Sequence, residues 1–443
     1  MTTVPPLPSP VVDRPSIRDR AAGAAVRAPG LLESLGRRLV RTTLARMKHG
    51  RVRLIDRHGL VEAESAVDPA RLPVVTVRVL DPRFYAAAAF GGSLGIAEAY
   101  IDGAWETDDL AGLIEIITVN LSAMESLEGW LAGLCTPLSR AAYWLERNTR
   151  AGSRRNIVAH YDLGNEFFSL FLDHTMTYSC AVFENGADSL EQAQREKIDR
   201  ACRKLDLRPT DHLLEIGTGW GALAIHAASR FGCRVTTTTI SDEQHRFAER
   251  RVREAGLRDR VTILKRDYRD LQAVGQFDKL VSVEMIEAVG RNHLGTFFEV
   301  CSKCLRPDGA ALVQAIVIRD QFFEAASRRR DFLKKYIFPG SCLPSVAAMI
   351  GEVNARTDLR TWHLEDIGPH YVTTLRLWRD AFMNRLEDVR RLGFDDRFIR
   401  MWLFYLAYCE GAFRARHVGD VQWLLTKPLC RFAAAGERAA GQA

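Results

Sequence analysis

Long apolar runs are the first thing this 443-residue chain lacks. No uncharged stretch reaches the ~20 residues of a bilayer-spanning helix, so no spanning segment is expected. Met1–Pro10 has neither a basic start nor an apolar stretch, so no secretory leader is read there. A cytoplasmic protein is the expectation. Paired cysteine spacing is also missing. The nine cysteines are odd in number and dispersed, which points to free thiols in a reducing compartment. The one CxxC, Cys301 to Cys304, lies in FFEVCSKCL, an amphipathic helical stretch with no second pair to complete a zinc site, so no metal is expected. There is no internal repeat.

What is present fits a globular chain of two or three domains. Hydrophobic residues make up 47% and charged residues 26%, enough for a sizeable core. The net charge of +6 suits an anionic partner, either nucleic acid or a phospholipid surface. The basic residues are spread out and no nucleic-acid-binding motif accompanies them, so no nucleic-acid partner is expected.

Along the chain, residues 1–50 read as a disordered Pro-, Arg- and Ala-rich tail followed by a basic amphipathic helix. In that helix Leu31, Leu32, Leu35, Leu39, Leu44 and Met47 recur at helical spacing among Arg37, Arg38, Arg41 and Arg46. Such a helix either lies in a membrane interface or packs on its own domain. Residues 51–145 read as a small mixed domain suited to recognition or lipid handling. Its strand candidates are RVRLIDRHG and VVTVRVLD. Residues 146–430 alternate strands and helices, which implies a parallel sheet covered by helices. A helical, aromatic-rich insertion at about 320–420 is expected as a lid over the ligand end of that sheet. A strand candidate lies near Trp362–Ile367, and the final strand is DVQWLL.

The strongest local motif is HLLEIGTGWG, from His212 to Gly221. An apolar strand ends in a carboxylate, Glu215. A turn with Gly217, Gly219 and Gly221 follows and leads into a helix. Glycines allow close backbone approach to a ligand beyond the strand end. A Walker loop is excluded because no Gly-Lys-Ser/Thr follows. The acid two residues ahead of GxGxG favours an S-adenosylmethionine loop over a dinucleotide fingerprint. The second strand ends in TTTTIS without an acid, which leaves Thr239, Ser241 and Gln244 to supply polar contacts. Ser241 or Asp242 also reads as a helix N-cap. Asp267 and Tyr268 follow the third strand, where an adenine ring would sit.

Further motifs run in order from about residue 80 to 426. They include His160-Tyr161-Asp162-Leu163-Gly164-Asn165, Thr177-Tyr178-Ser179-Cys180, LEQAQREK ending at Lys197, and Met285-Ile286-Glu287-Ala288-Val289-Gly290. Tyr336–Gly340, Cys342-Leu343-Pro344, Tyr371–Thr374 and Gly411–Arg416 complete them. Together they resemble the cyclopropane-fatty-acyl-phospholipid synthase family, which includes mycolic acid cyclopropane synthases and related fatty-acid methyltransferases. The resemblance implies an α/β, Rossmann-like class I S-adenosylmethionine-dependent methyltransferase fold with a helical lipid-binding insertion and a smaller amino-terminal domain. It implies transfer of a methylene group to the double bond of unsaturated phospholipid acyl chains. The +6 charge and the basic amphipathic segment Leu31–Met47 point to peripheral attachment to the inner face of the membrane, and a homodimer is an open option.

Carried over by motif, the cofactor would meet Tyr178, Ser179, Glu215, Gly217, Gly219, Gly221, Thr239, Gln244 and Tyr268. In the family a bound bicarbonate ion removes a proton from the lipid cation. Its cage here would be Cys180, Glu287 and Tyr371, with a backbone contact near Ile316. Cys409 would line the pocket. Glu284 reads as a strand-end residue near the cofactor. Many relatives carry histidine where this chain has Gln314, and glutamine hydrogen-bonds an anion but takes up no proton near neutral pH. A methyl- or methylene-branched product is therefore the first alternative. A non-catalytic lipid binder is the second, disfavoured by the intact glycine turn and Glu287. A nucleic-acid methyltransferase would carry an Asn/Asp-Pro-Pro-Tyr-type motif, which is absent.

Overall fold

The computed structural model describes residues 30–64, 72–121, 163–184 and 186–432. His160, Tyr161 and Asp162, and the stretch from 122 to 145, lie outside the described residues.

The amino-terminal part begins with helix α1 (Leu31–Ala45) and four short strands, β1 (Arg51–Asp56), β2 (Gly59–Glu64), β3 (Val74–Val79) and β4 (Trp105–Thr107). They form one sheet in the order β2-β1-β3-β4. In β1 and β3 the alternate residues Val52, Leu54, Val75 and Val77 turn inward, as the two-residue period of a strand requires. Between β3 and β4 lie helices α2 (Arg83–Phe90) and α3 (Gly92–Ile101), and α4 (Leu110–Val119) follows β4. Asp109 caps α4 by accepting the Gly112 amide at 2.9 Å.

Helix α1 divides its residues between two environments. Gly36 approaches the Tyr85 carbonyl so closely that an added Cβ would lie 2.5 Å from it, so this face is packed against α2. Arg37 pairs with Asp56 at 2.7 Å. Leu31 and Leu32 at the helix start stay 92% and 66% exposed.

The larger sheet has seven strands: β5 (His212–Ile216), β6 (Arg234–Thr239), β7 (Val261–Lys265), β8 (Phe277–Val283), β9 (Leu305–Ile318), β10 (Arg360–Asp366) and β11 (Val418–Thr426). Their order is β10-β11-β9-β8-β5-β6-β7. All neighbours are parallel except β11, which runs antiparallel to both β9 and β10. Chain order reverses at β5. Strand β6 lies on one side of it and β8 on the other, and the crevice beyond such a reversal is where α/β sheets bind ligands. Strands such as HLLEI and KLVSV are near-continuous apolar runs because helices cover both faces. The arrangement is the expected Rossmann-like fold.

The helical insertion differs from its expected form. Strand β10 divides it in two. Helices α5 (Asp320–Arg328), α6 (Phe332–Tyr336) and α7 (Val346–Arg356) precede the strand. Helices α8 (Gly368–Asn384), α9 (Leu386–Arg391) and α10 (Asp396–Arg414) follow it. Strand β10 is the strand expected near Trp362–Ile367, an edge strand that leaves Trp362 exposed and shows little apolar alternation. Helix α10 joins the two parts of the molecule. A Cβ on Gly411 would lie 2.6 Å from the Ala111 carbonyl, so only glycine lets α10 cross α4 at this distance.

Candidate active site

The turn after β5 is built by backbone freedom. Gly217, Gly219 and Gly221 have φ of 104°, 52° and 88°, in the left-handed region that side chains resist. Gly221 then starts a helix, Ala222–Arg230. The three glycines serve different ends. A Cβ on Gly219 would meet nothing within 4 Å, because it would point into open space. Gly221 lies off the cavity wall, and its added Cβ would press on Ala248 at 3.2 Å.

Glu215 stands at the floor of this turn, 4% exposed. Its Oε2 is buried without a partner. Burial pushes its carboxyl up to about 8, with Thr237 and Lys197 opposing. A cationic group entering above Gly219 would meet that open oxygen. Thr239 donates to Gln244 Oε1 at 2.9 Å, and Ser241 caps the following helix (Asp242–Glu254) by accepting the Gln244 amide at 3.3 Å. Tyr268 packs edge-on against Phe297 at 5.8 Å.

One cavity of about 520 Å³ connects these residues to the helical insertion. Its walls include Tyr178, Ser179, Glu215, Gly217, Gly219, Thr239, Gln244 and Tyr268, and beyond them Glu284, Glu287, Tyr371 and Cys409. The far end is apolar, with Leu333, Phe338, Leu375, Ala412 and Phe413. Tyr371 stacks on Phe413 at 4.4 Å, and the Tyr178 and Tyr405 hydroxyls hydrogen-bond at 2.6 Å. A polar turn thus opens into an aromatic, apolar chamber. Most of the expected site residues meet there. Cys180, Gln314 and Gly221 do not reach the wall.

The acids after β8 are arranged otherwise than expected. Glu284 is the hub and not merely a strand-end residue. Its Oε1 accepts the Cys180 amide and the Gln314 side-chain amide, both at 2.8 Å. Its Oε2 accepts the Tyr371 hydroxyl at 2.7 Å. Cys180 therefore contributes its backbone, while its thiol turns toward the Ala181 and Ile367 carbonyls at 3.3 and 3.8 Å. Gln314 also donates to Asp420 Oδ2 at 2.8 Å and accepts from Gln422 at 3.1 Å. Both faces of its amide are spent behind the cavity wall.

Glu284 has a φ of 48°. A non-glycine residue held there costs about 1–3 kcal/mol, so its surroundings must fix it. Burial pushes Asp420 well above the carboxylate range, and the charge of Glu284 adds to the effect. Burial also raises Glu284, but the hydrogen bonds from Cys180 and Tyr371 and the charge of Lys197 oppose it. With three donors on Glu284, the proton of the pair belongs to Asp420. Lys197 is fully buried and donates to Ser179 Oγ at 2.8 Å.

Glu287 occupies the short 3-10 turn Ile286–Ala288. Its Oε1 accepts the Ile316 amide at 2.6 Å, while Oε2 is buried without a partner. Burial, then the charge of Glu284, pushes it up to about 8, so it is protonated near neutral pH. The bicarbonate cage therefore does not fit as a cage for a free ion. The Cys180 amide, Tyr371 and Gln314 already donate to Glu284, and the Ile316 amide donates to Glu287. Sequence reasoning missed the roles of Glu284, Lys197 and Asp420. Asp420 left the clearest signal, an acid among the apolar residues of the last strand.

A family described as mycolic acid cyclopropane synthetase matches residues 148–423. The tuberculostearic acid methyltransferase UfaA1 of Mycobacterium tuberculosis is 41% identical over 345 residues, covering 76% of this chain and 79% of that protein. The cyclopropane-fatty-acyl-phospholipid synthase of Escherichia coli K12 is 38% identical over 349 residues, 77% of this chain and 85% of that one. The mycolic acid cyclopropane synthase CmaA1, solved with SAH and CTAB, superposes with a TM-score of 0.57 at 29% identity, covering 62% of this chain and 98% of its own.

Proposed function

The chain belongs to the mycolic acid cyclopropane synthetase family and is a methyltransferase, and we propose that it transfers a one-carbon unit from S-adenosylmethionine to the double bond of an unsaturated phospholipid acyl chain, closing a cyclopropane ring. The observation that carries this reading is the single cavity running from the glycine turn to an apolar, aromatic chamber. A polar cofactor and an acyl chain need those two surfaces in contact.

S-adenosylmethionine supplies an electrophilic methyl group on a sulfonium. The partnerless oxygen of Glu215 suits its cationic amine, and the space over Gly219 admits its backbone-contacting part. Gln244, Thr239 and Tyr268 line the wall where the nucleoside would rest, and Tyr178 and Ser179 line the same cavity. The faces of Tyr371, Tyr405 and Phe413 stabilise positive charge as it develops on the acyl chain. The same apolar walls exclude water, which would otherwise trap the cation.

A second reading is a methyl- or methylene-branched product. It is favoured by Gln314, whose amide faces Glu284 and Asp420 and never the cavity, and by the relative named a methyltransferase. The ring and the methylene branch diverge at a shared cation: loss of a proton from the added carbon closes the ring, whereas a 1,2-hydride shift before that loss leaves a methylene branch.

Association with the membrane is peripheral, on its cytoplasmic face. Among the described residues no helix is long and apolar enough to cross a membrane. The support is α1, where exposed Leu31, Leu32 and Leu35 adjoin a groove of about 450 Å³ lined by Arg37, Arg38, Arg41, Arg57 and His58 against two acids, Glu33 and Asp56, the latter paired with Arg37. Apolar insertion beside cationic side chains suits an anionic lipid surface.

The test is mass spectrometry of membrane lipids after expression in a host lacking such enzymes. Monounsaturated chains should gain one CH2, and fragmentation should place it as a ring. An unchanged lipid profile with folded, cofactor-binding protein contradicts the reading.

A further inference from the structure

The groups that the family resemblance assigns to a bicarbonate ion are present in this chain, and two of them, Cys180 and Tyr371, already donate to a carboxylate together with Gln314. The Cys180 amide, the Gln314 side chain and the Tyr371 hydroxyl converge on one carboxylate, at 2.8, 2.8 and 2.7 Å. That carboxylate is part of the chain. We propose that Glu284 is the base of this reaction, an internal carboxylate standing where a bound bicarbonate would otherwise stand.

Four observations support it independently of the family. Glu284 lines the cavity together with Glu287 and Tyr371, so it can face the acyl chain. Its backbone is held at a φ of 48°, in a conformation that a side chain adopts only when its surroundings impose it. Its charge has support within the fold, since burial raises it but three donors and the buried Lys197 oppose that rise, while Asp420 is pushed well above the carboxylate range and keeps the proton of the acid pair. Finally, the Cys180 and Gln314 donors both sit on Oε1 and the Tyr371 hydroxyl on Oε2, so Oε2 is the less occupied oxygen and the one to receive a proton.

Glu287 is the alternative base, and it is less suited. Burial and its neighbour's charge push it up to about 8, so near neutral pH it already holds a proton and is poorly placed to take another. The hydrogen bonds oppose the rise that burial imposes on Glu284, and a moderate base suffices here. A proton beside a carbocation is strongly acidic, and what the step needs is a positioned acceptor that cannot itself attack the cation freely.

The step balances as follows. The π pair of the acyl double bond forms a C–C bond to the transferred carbon as the C–S bond breaks, and that pair stays on sulfur, leaving a neutral sulfide. The other alkene carbon becomes cationic. A C–H bond then breaks. If it belongs to the added carbon, its electron pair closes the cyclopropane ring; if it belongs to a neighbouring carbon, the pair forms a new double bond. In either case the proton goes to Glu284 and from there to solvent, one per turnover.

This inference rests on the proposed lipid reaction, and the experiment separates the two. Turnover is measured on unsaturated phospholipid vesicles in CO2-free buffer, with and without added bicarbonate. The wild type is expected to run at the same rate in both. Glu284→Gly suits the left-handed backbone and frees the three donors for an ion. Its kcat should drop by roughly 100- to 10,000-fold without bicarbonate. S-adenosylhomocysteine affinity should be unchanged, and added bicarbonate should restore turnover. Glu284→Gln fills the same space with a neutral amide and should be slow in both buffers. A wild type that forms product only with bicarbonate overturns the inference and leaves the lipid reaction standing. A Glu284→Gln enzyme as fast as wild type also overturns it. No product from the wild type in either buffer removes the lipid reaction and the inference together.

Discussion

Two of the buried acids that line the cavity differ in their partners: Glu284 accepts three hydrogen bonds from the chain, whereas Glu215 keeps an oxygen without a partner. Both sit near strand ends in the parallel part of the same seven-stranded sheet, and burial raises both. Lys197 influences each of them. The difference teaches how one fold assigns two tasks to one kind of side chain. An acid that lacks a partner in the free protein is shaped for a ligand that brings a positive charge. An acid with every donor in place is a preassembled part of the chemistry, fixed before any ligand arrives.

The largest effect expected at the open end comes from Gly219→Val. Its side chain would occupy the space that the ligand needs, so cofactor binding should vanish in calorimetry while circular dichroism stays native. Undiminished affinity in a folded variant would move the cofactor elsewhere and dissolve the contrast.

Glu287→Gln should act on a smaller scale. Glutamine imitates a protonated carboxyl, and Oε1 of Glu287 accepts only the Ile316 amide. The loss in kcat should be about tenfold or less, the scale of roughly one hydrogen bond of ~1 kcal/mol. A loss as large as that of Glu284→Gly would make Glu287 the base and reverse the assignment of the two acids.

The acids should also show in stability. Glu287 rises from 4.5 to about 8 on folding. The folded state therefore holds more protons than the unfolded state between those values, and this contribution is lost as pH rises through about 8. His212, His226 and His417 are lowered by burial and push the other way, so the informative quantity is a difference. The melting temperature of wild type minus that of Glu287→Gln should fall as pH increases from about 5 to about 9. A difference that rises over this range would contradict a buried, protonated Glu287.

The smallest effect concerns α1, remote from both acids. Binding to anionic vesicles should weaken as salt increases, because surface charges are screened. Replacing Leu31 and Leu32 by serine should weaken it at every salt concentration without changing cofactor affinity. Equal binding to neutral and anionic vesicles would remove the electrostatic part.

Most of the open end was legible in the sequence. A carboxylate followed by GxGxG after an apolar run has few structural meanings, and Thr239, Gln244 and Tyr268 follow at the ends of the next two strands. The saturated end was not legible. Glu284 stands three residues before Glu287, and nothing in the order of residues shows that its backbone turns left-handed and aims its carboxylate at Cys180 and Tyr371. Its partners come from five separated segments, with Lys197 and Asp420 more than two hundred residues apart. Only the folded sheet brings the 190s helix, β9, β11 and the helix carrying Tyr371 to one point. Strand β10 was legible as a strand but not as a division of the insertion, because an edge strand buries too little for a clear alternation.

The most direct test of the contrast is binding of 13C-labelled bicarbonate, followed by NMR in the presence of S-adenosylhomocysteine. If Glu284 saturates the anion site, wild type should give no bound signal, and Glu284→Gly should give one that Tyr371→Phe weakens in the double variant. A bound signal in wild type, displaced by no change at Glu284, would show that the anion site is open and that the internal carboxylate is not its occupant.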